Sequence, residues 1–181
     1  MWALVKNEQV VKTFNNSKGF VFNDMQYSSD IFSKWTKEEK EAIGLYEVVI
    51  DNSNYKDPEY YNNSNSTIVF SNGQVTESWQ TAVEKNLDEE KNKKKETIKR
   101  QASSLLTSTD WYVIKASEVT EYSIPTNISN FRTSIRTKSD EMETAIDAAT
   151  SIDELKTLYT YTDDGNGNVT RPLGEWPEEV A

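Results

Sequence analysis

The sequence contains neither histidine nor cysteine in its 181 residues. Without histidine it lacks the side chain that most often acts as a general base or a zinc ligand, and without cysteine it lacks disulfides and thiol chemistry. It also has no glycine-rich phosphate loop and no nucleophile elbow. Paired carboxylates are too common in an acidic chain to indicate a glycosidase. We therefore expect no catalytic activity, no cofactor and no tightly bound metal.

The chain has fewer basic than acidic residues. It contains 20 lysines and arginines and 30 aspartates and glutamates, which gives a formal net charge of −10. The one basic run, Lys91 to Lys95, has acidic neighbours on both sides and is typical of a solvated helix face. Nucleic acids need a basic surface, so we expect no nucleic-acid partner. No stretch approaches the roughly 18 apolar residues of a membrane span. Residues 1–6 lack signal-peptide features, so we expect a soluble protein made in a cytoplasm, without a membrane partner.

Hydrophobic residues make up only 35% of the chain, although aromatic residues, at 11%, partly compensate. Each buried aromatic ring removes on the order of 150–250 Å² from water. We therefore expect a thin core, which burial against a partner chain would strengthen. A homo-oligomer is left open on this basis.

Residues 1–80 predict a small, mostly antiparallel β-rich module. The pairs Asn7-Glu8 and Asn72-Gly73 interrupt apolar runs where tight hairpins would turn, and Asn-Gly is a strong signal for such a turn. Residues 51–67 are rich in Asn, Ser, Asp and Tyr and predict a long loop or a hairpin excursion. The predicted strands are Trp2–Lys6, Gln9–Phe14, Phe20–Phe22, Leu45–Ile50, Thr67–Phe70 and Gln74–Trp79.

One short helix is expected inside this module, at residues 37–43. Thr36 and Glu39 have the spacing of a capping box, in which the hydroxyl accepts from the third helical amide and the carboxylate accepts from the cap residue. Gly44 follows where the helix should end, because glycine enters the left-handed conformation at little cost.

Residues 81–161 predict a helical region, so the fold class is α+β. Two apolar stripes at helical spacing flank a break at 123–125, and we expect them to close as a helical hairpin around a short aromatic-bearing element. Residues 88–97 have no apolar repeat and predict a segment solvated on all sides. Ser151 and Glu154 predict a second capping box and a short helix. The residues expected to form one buried cluster in the hairpin are Leu105, Leu106, Trp111, Phe131 and Ile135.

Residues 162–181 predict an extended tail. Its polar residues Asp164, Asn166, Asn168 and Glu175 stand at positions 1, 3, 5 and 12 of a calcium-loop register. Position 6, which needs glycine for the sharp turn, is Val169. A glycine-rich turn is therefore the better interpretation.

Four residues, two tryptophans and two arginines, are candidates for binding a partner. Trp111 suits an interaction anchor, although the usual burial of tryptophan favours a place in the hairpin core, with Asp110 as a helix cap. Arg132 and Arg136 lie one helical turn apart and suit a carboxylate clamp, although an intramolecular pair with Asp110 or Glu118 is the more ordinary role. Trp176 is a large apolar group on a short segment, and it predicts docking of residues 169–181 either on the N-terminal sheet of this chain or on a partner subunit.

The C-terminal half resembles a known family, the tail assembly chaperones and tail-fibre assembly helpers of tailed bacteriophages. The residues that carry this resemblance are, in order, Arg100, Leu105-Leu106, Thr109-Asp110-Trp111, Ile124-Pro125, Phe131-Arg132, Ile135-Arg136 and Trp176-Pro177. The N-terminal module is similar to the family in its strands, in Thr36–Glu39 with Ile43-Gly44, and in Lys56–Tyr61. Residues 114–117 depart from the pattern, because many relatives have a shorter polar turn there.

The resemblance implies a non-enzymatic protein that binds phage tail or tail-fibre subunits. It would act in the host cytoplasm as an assembly chaperone or remain in the virion tail as a structural component, and the sequence does not separate these two cases. Two alternatives remain from other functional classes. One is a cell-wall-degrading tail component, which needs two opposed carboxylates in a cleft, and the other is a carbohydrate-binding module that uses exposed Trp and Tyr.

Overall fold

Residues 1–178 are described by the computed structural model, and the fold class is α+β, as predicted. Contacts divide the chain into two units, Met1–Val83 and the residues from Glu84 onward. The first unit is built mainly of strands and the second mainly of helices. None of the helices among these described residues is both long enough and apolar enough to span a membrane.

The first unit contains a five-stranded sheet in the order β2-β1-β5-β8-β7. Neighbouring strands are antiparallel except β5 and β8, which are parallel. The elements are β1 (Trp2–Lys6), β2 (Gln9–Phe14), β3 (Phe20–Phe22), β4 (Met25–Tyr27), α1 (Ile31–Lys34), α2 (Lys37–Ala42), β5 (Leu45–Asp51), β6 (Tyr61–Asn62), β7 (Ser66–Ser71), β8 (Gln74–Trp79) and β9 (Val83–Glu84). The six predicted strands and the predicted helix are therefore present, whereas α1, β4, β6 and β9 were not anticipated.

Tight turns set the register of the hairpins in this unit. Asn7 and Glu8 between β1 and β2, and Asn72 and Gly73 between β7 and β8, all have positive φ. Two consecutive residues with positive φ make the turn whose twist matches that of paired strands. The same geometry at residues 23–24 joins β3 to β4, a hairpin that its Asn-Asp sequence did not reveal.

The sheet has an apolar cluster on each face, because alternate residues of β1 point to opposite sides. Leu4 belongs to a cluster with Phe20, Ile31, Phe32 and Leu45. Ala3 and Val5 belong to a second cluster, with Val48 and Val75. The strand is therefore buried on both faces, which its run of four apolar residues, Trp2 to Val5, permits.

Helix α2 begins at the predicted cap and ends at Ala42, one residue before the predicted end. The Thr36 side chain accepts from the Glu39 amide, and the Glu39 carboxylate accepts from the Thr36 amide at 2.8 Å. Gly44 follows with φ +84°, and a Cβ at this position would lie 2.5 Å from the Val5 carbonyl oxygen. Glycine is therefore required here both for its backbone conformation and for the close approach of β1.

The second unit is organised by two long helices that pack side by side. Its elements are α3 (Leu87–Thr107), α4 (Asp110–Glu118), α5 (Thr126–Ala148), α6 (Ile152–Tyr159) and the hairpin strands β10 (Thr162–Asp163) and β11 (Val169–Thr170). Lys95, early in α3, pairs with Asp147 at the end of α5, whereas the Leu106 carbonyl at the end of α3 accepts from Arg132 near the start of α5. The two helices are therefore antiparallel, which confirms the predicted helical hairpin.

The interface between α3 and α5 is formed by the predicted apolar stripes. Phe131, Ile135 and Ala102 are buried together, with Leu105 and Leu106 packed against them. The prediction that residues 88–97 are solvated on all sides was wrong. This segment is the first half of α3, in which Glu90 is buried and Lys95 forms its ion pair with α5. Long charged side chains cover part of the interface here, so an apolar repeat is not needed.

The short helix α6 begins at the predicted cap, but the reciprocal contact differs. The Ser151 hydroxyl accepts from the Glu154 amide at 3.1 Å. The Glu154 carboxylate accepts from the amide and hydroxyl of Thr150, one residue before the cap. These bonds, the backbone one first, hold the pKa of Glu154 below its ordinary value.

Candidate functional site

The side chain of Arg132 fixes the junction between α3 and α4. Its Nη1 donates to the Leu106 carbonyl oxygen at 3.0 Å, to the Thr109 hydroxyl at 2.6 Å and to the Asp110 carboxylate at 2.8 Å. The arginine is buried, so it is not available as a clamp for a partner's carboxylate. The intramolecular pair with Asp110 is the role that the structure gives it. Asp110 is not the helix cap, since it is the first residue of α4 and Thr109 precedes it.

Helix α4 buries none of its nine residues. Trp111, Ile114, Lys115 and Glu118 are spaced so that they share one side of the helix. The Trp111 side chain is 50% exposed and the Ile114 side chain is 56% exposed. We call this surface, with Tyr122 just beyond the helix, the α4 face.

Trp111 therefore lies outside the buried cluster, and its predicted place in the hairpin core was wrong. The cluster of Ala102, Phe131 and Ile135 is completed by Trp176 instead. The reason is the turn at Thr109, which starts a new helix, so that the apolar stripe of α3 does not continue into Trp111.

Aromatic rings and a cation gather on the α4 face. The ring of Trp111 lies 4.1 Å from that of Tyr112 and 6.5 Å from that of Tyr122, between centroids. The ammonium of Lys115 lies 4.3 Å from the Tyr122 centroid and 5.4 Å from the Trp111 centroid. Both distances fall within the range of cation–π attraction.

Arg136 and Trp176, the other two predicted partner-binding residues, lie elsewhere. Arg136 makes one long hydrogen bond, 3.4 Å, from Nη1 to the Arg132 carbonyl oxygen. Trp176 packs on the α3–α5 cluster, and its Nε1 donates to the Gln101 side chain at 3.1 Å. Of the two docking alternatives for the tail, the structure shows contact with this chain, but the predicted surface, the N-terminal sheet, was wrong, since Trp176 packs on the α3–α5 cluster. Residues 179–181 of the predicted docking segment lie outside the described residues.

The residues before Trp176 hold the tail in place. Leu173 is buried and its amide donates to the Leu158 carbonyl oxygen at 3.0 Å. The Glu175 carboxylate accepts from the Tyr161 hydroxyl at 2.8 Å and pairs with Arg171. The pKa of Tyr161 is raised, because its hydroxyl donates to Glu175 and is partly desolvated.

Three residues of the calcium-loop register, Asp164, Asn166 and Asn168, lie in the turn between β10 and β11, whereas Glu175 lies beyond β11 and pairs with Arg171. The Asp164 carboxylate accepts from the Asn168 side chain at 3.0 Å and from the Asn166 amide at 2.8 Å. These bonds, the Asn168 one first, hold the pKa of Asp164 below its ordinary value. Within residues 1–178, no group of three or more acidic side chains is placed to hold a metal ion.

Sequence reasoning identified Trp111 in the α4 face but missed Ile114, Lys115 and Tyr122. The signal that was available is the spacing of Trp111, Ile114, Lys115 and Glu118 on one helix side. Comparison of the chain with protein-family models, curated proteins and solved structures finds no match.

Proposed function

We propose that this chain is a non-enzymatic protein of a tailed bacteriophage that binds tail or tail-fibre subunits, as an assembly chaperone or as a structural component of the virion tail. The phage context comes from the resemblance of residues such as Asp110-Trp111 and Phe131-Arg132 to the tail assembly family. The α4 face is the surface that we assign to subunit binding.

The observation that supports this proposal best is the exposure of Trp111 and Ile114 on a helix in which no residue is buried. Tryptophan is one of the residues enriched at binding hot spots, which cluster near the centre of an interface. The start of the helix is fixed, because buried Arg132 ties Asp110 to α3 and α5. A helix whose start is already fixed loses less conformational freedom on binding, so more of its contact energy appears as affinity.

The experiment is capture of tail subunits by the full chain. The tagged chain is co-expressed in turn with each tail and tail-fibre protein encoded in the same phage genome, and the captured complexes are quantified. We expect at least one of these proteins to co-purify in stoichiometric amount. The double variant Trp111→Ala/Ile114→Ala should weaken that complex at least about tenfold, the loss of a typical hot spot.

The matched control is Ile50→Ala in the first unit, because Ile50 is as exposed as Ile114, at 56%. It should leave capture unchanged, and all variants should keep the melting temperature of the parent chain. Capture of no tail or fibre protein would contradict the proposed function. Lysis of cell walls in a turbidity assay, or selective binding on a glycan array, would replace it with one of the two alternatives.

A further inference from the structure

The charges around the α4 face are mainly acidic. Glu118 lies on the face and Glu121 lies three residues further on, and both are exposed. Asp110, at the start of the helix, is half-exposed and paired with Arg132. Lys115 is the basic residue on this surface, so the exposed charges of the face and its edge sum to a negative value. A partner with complementary charge would be basic.

Lys115 indicates how such a partner would be held. Its ammonium already lies over the rings of Tyr122 and Trp111, so these rings form a position that accepts a cation. An arginine or lysine from another protein could take the same position and also meet Glu118. In the free chain, Lys115 occupies this position.

We propose that the α4 face binds a basic amphipathic segment of its partner. Apolar side chains of the segment pack on Trp111 and Ile114. Its lysines or arginines lie over the rings of Trp111 and Tyr122 and pair with the carboxylates of Glu118 and Glu121. This inference rests on the proposed function and names the chemistry of the partner at the same site. A second copy of the chain is a poor occupant, because the chain carries a net charge of −10 and two acidic edges would repel.

Two designed peptides test this inference on the full chain. Both carry the same helical stripe of leucines, one flanked by lysine and arginine and the other by glutamate, and both are fluorescently labelled. Fluorescence anisotropy then gives their affinities. We expect the basic peptide to bind at least about tenfold more tightly than the acidic one, with a preference that falls as salt is added.

Charge reversal on the face is the decisive variant. Glu118→Lys/Glu121→Lys should abolish or reverse the preference for the basic peptide. The control pair, Glu96→Lys/Asp140→Lys, makes the same change of net charge at exposed positions in the middle of α3 and α5, and should keep the preference. Lys115→Ala should tighten binding of the basic peptide, because it removes the internal cation. Circular dichroism confirms that each variant is folded.

Equal affinity for the two peptides, a preference for the acidic one, or an equal effect of the control pair would overturn this inference. A dimer in sedimentation that is lost in Trp111→Ala would overturn it as well, by assigning the face to a second copy. If tail subunits are captured through Trp111 while neither peptide binds, the inference fails and the proposed function stands. If the peptides are discriminated while no tail subunit is captured, the proposed function fails alone.

Discussion

Helices α4 and α5 lie next to each other in the chain and differ in what happens to their apolar residues. Helix α5 buries seven residues along one side, five of them apolar, whereas α4 buries none. The difference comes from their neighbours. Helix α5 runs antiparallel to the long helix α3, while α4 is a short helix held mainly at its start by Arg132. An apolar stripe therefore stabilises the fold only where another element of the chain covers it.

The largest expected difference between the two helices comes from isoleucine truncation. Ile135→Ala in α5 removes a fully buried side chain and should lower the free energy of unfolding by about 2–5 kcal/mol. Ile114→Ala in α4 should change it by less than about 0.5 kcal/mol, because the side chain is already in water. Urea denaturation followed by far-UV circular dichroism measures both. If the two variants lost similar amounts of unfolding free energy, the contrast between the covered stripe of α5 and the exposed face of α4 would be wrong.

A smaller effect is expected at the link between the two helices. Arg132→Met removes three hydrogen bonds and should cost about 1–3 kcal/mol, toward the lower end because Asp110 is half-exposed and returns to water. It should also speed hydrogen exchange across α4. Arg136→Met, which removes one long hydrogen bond, is the control and should cost less than about 0.5 kcal/mol. Unchanged exchange in α4 would mean that Arg132 does not hold this helix.

The smallest effect is expected from the charged end of the α3–α5 interface. The hydrogen bond from Lys95 to Asp147, with nearby lysines, holds the pKa of Asp147 below its ordinary value. The ionised carboxylate therefore adds stability above the unfolded pKa of about 4, and this stability is lost as the pH falls through the folded pKa.

Asp147→Asn should accordingly lower the melting temperature slightly at neutral pH, and the difference should shrink in acid and in high salt. Thermal melts of both proteins across acidic pH measure it. A loss as large as that of Ile135→Ala would show that charge, rather than apolar burial, holds α3 against α5.

Much of the local structure could be predicted because its causes lie within a few residues. Asn72-Gly73 turns a hairpin because both residues adopt positive φ, and Thr36 with Glu39 starts a helix through two bonds that span three positions. Predictions that depended on distant residues were less successful. The parallel pairing of β5 with β8 was not anticipated, since strand sequences alone do not state their partners.

The sequence by itself determined the α+β class, the main strands of the first unit and the starts of helices α2 and α6, because these follow from the periodicity and turn chemistry of neighbouring residues. Tertiary structure decided which apolar groups are covered. Trp176 packs on the α3–α5 cluster, whereas Trp111, which was expected in that core, is left exposed. The burial of a side chain depends on which residues, distant in the sequence, pack against it, and only the folded chain brings those residues together.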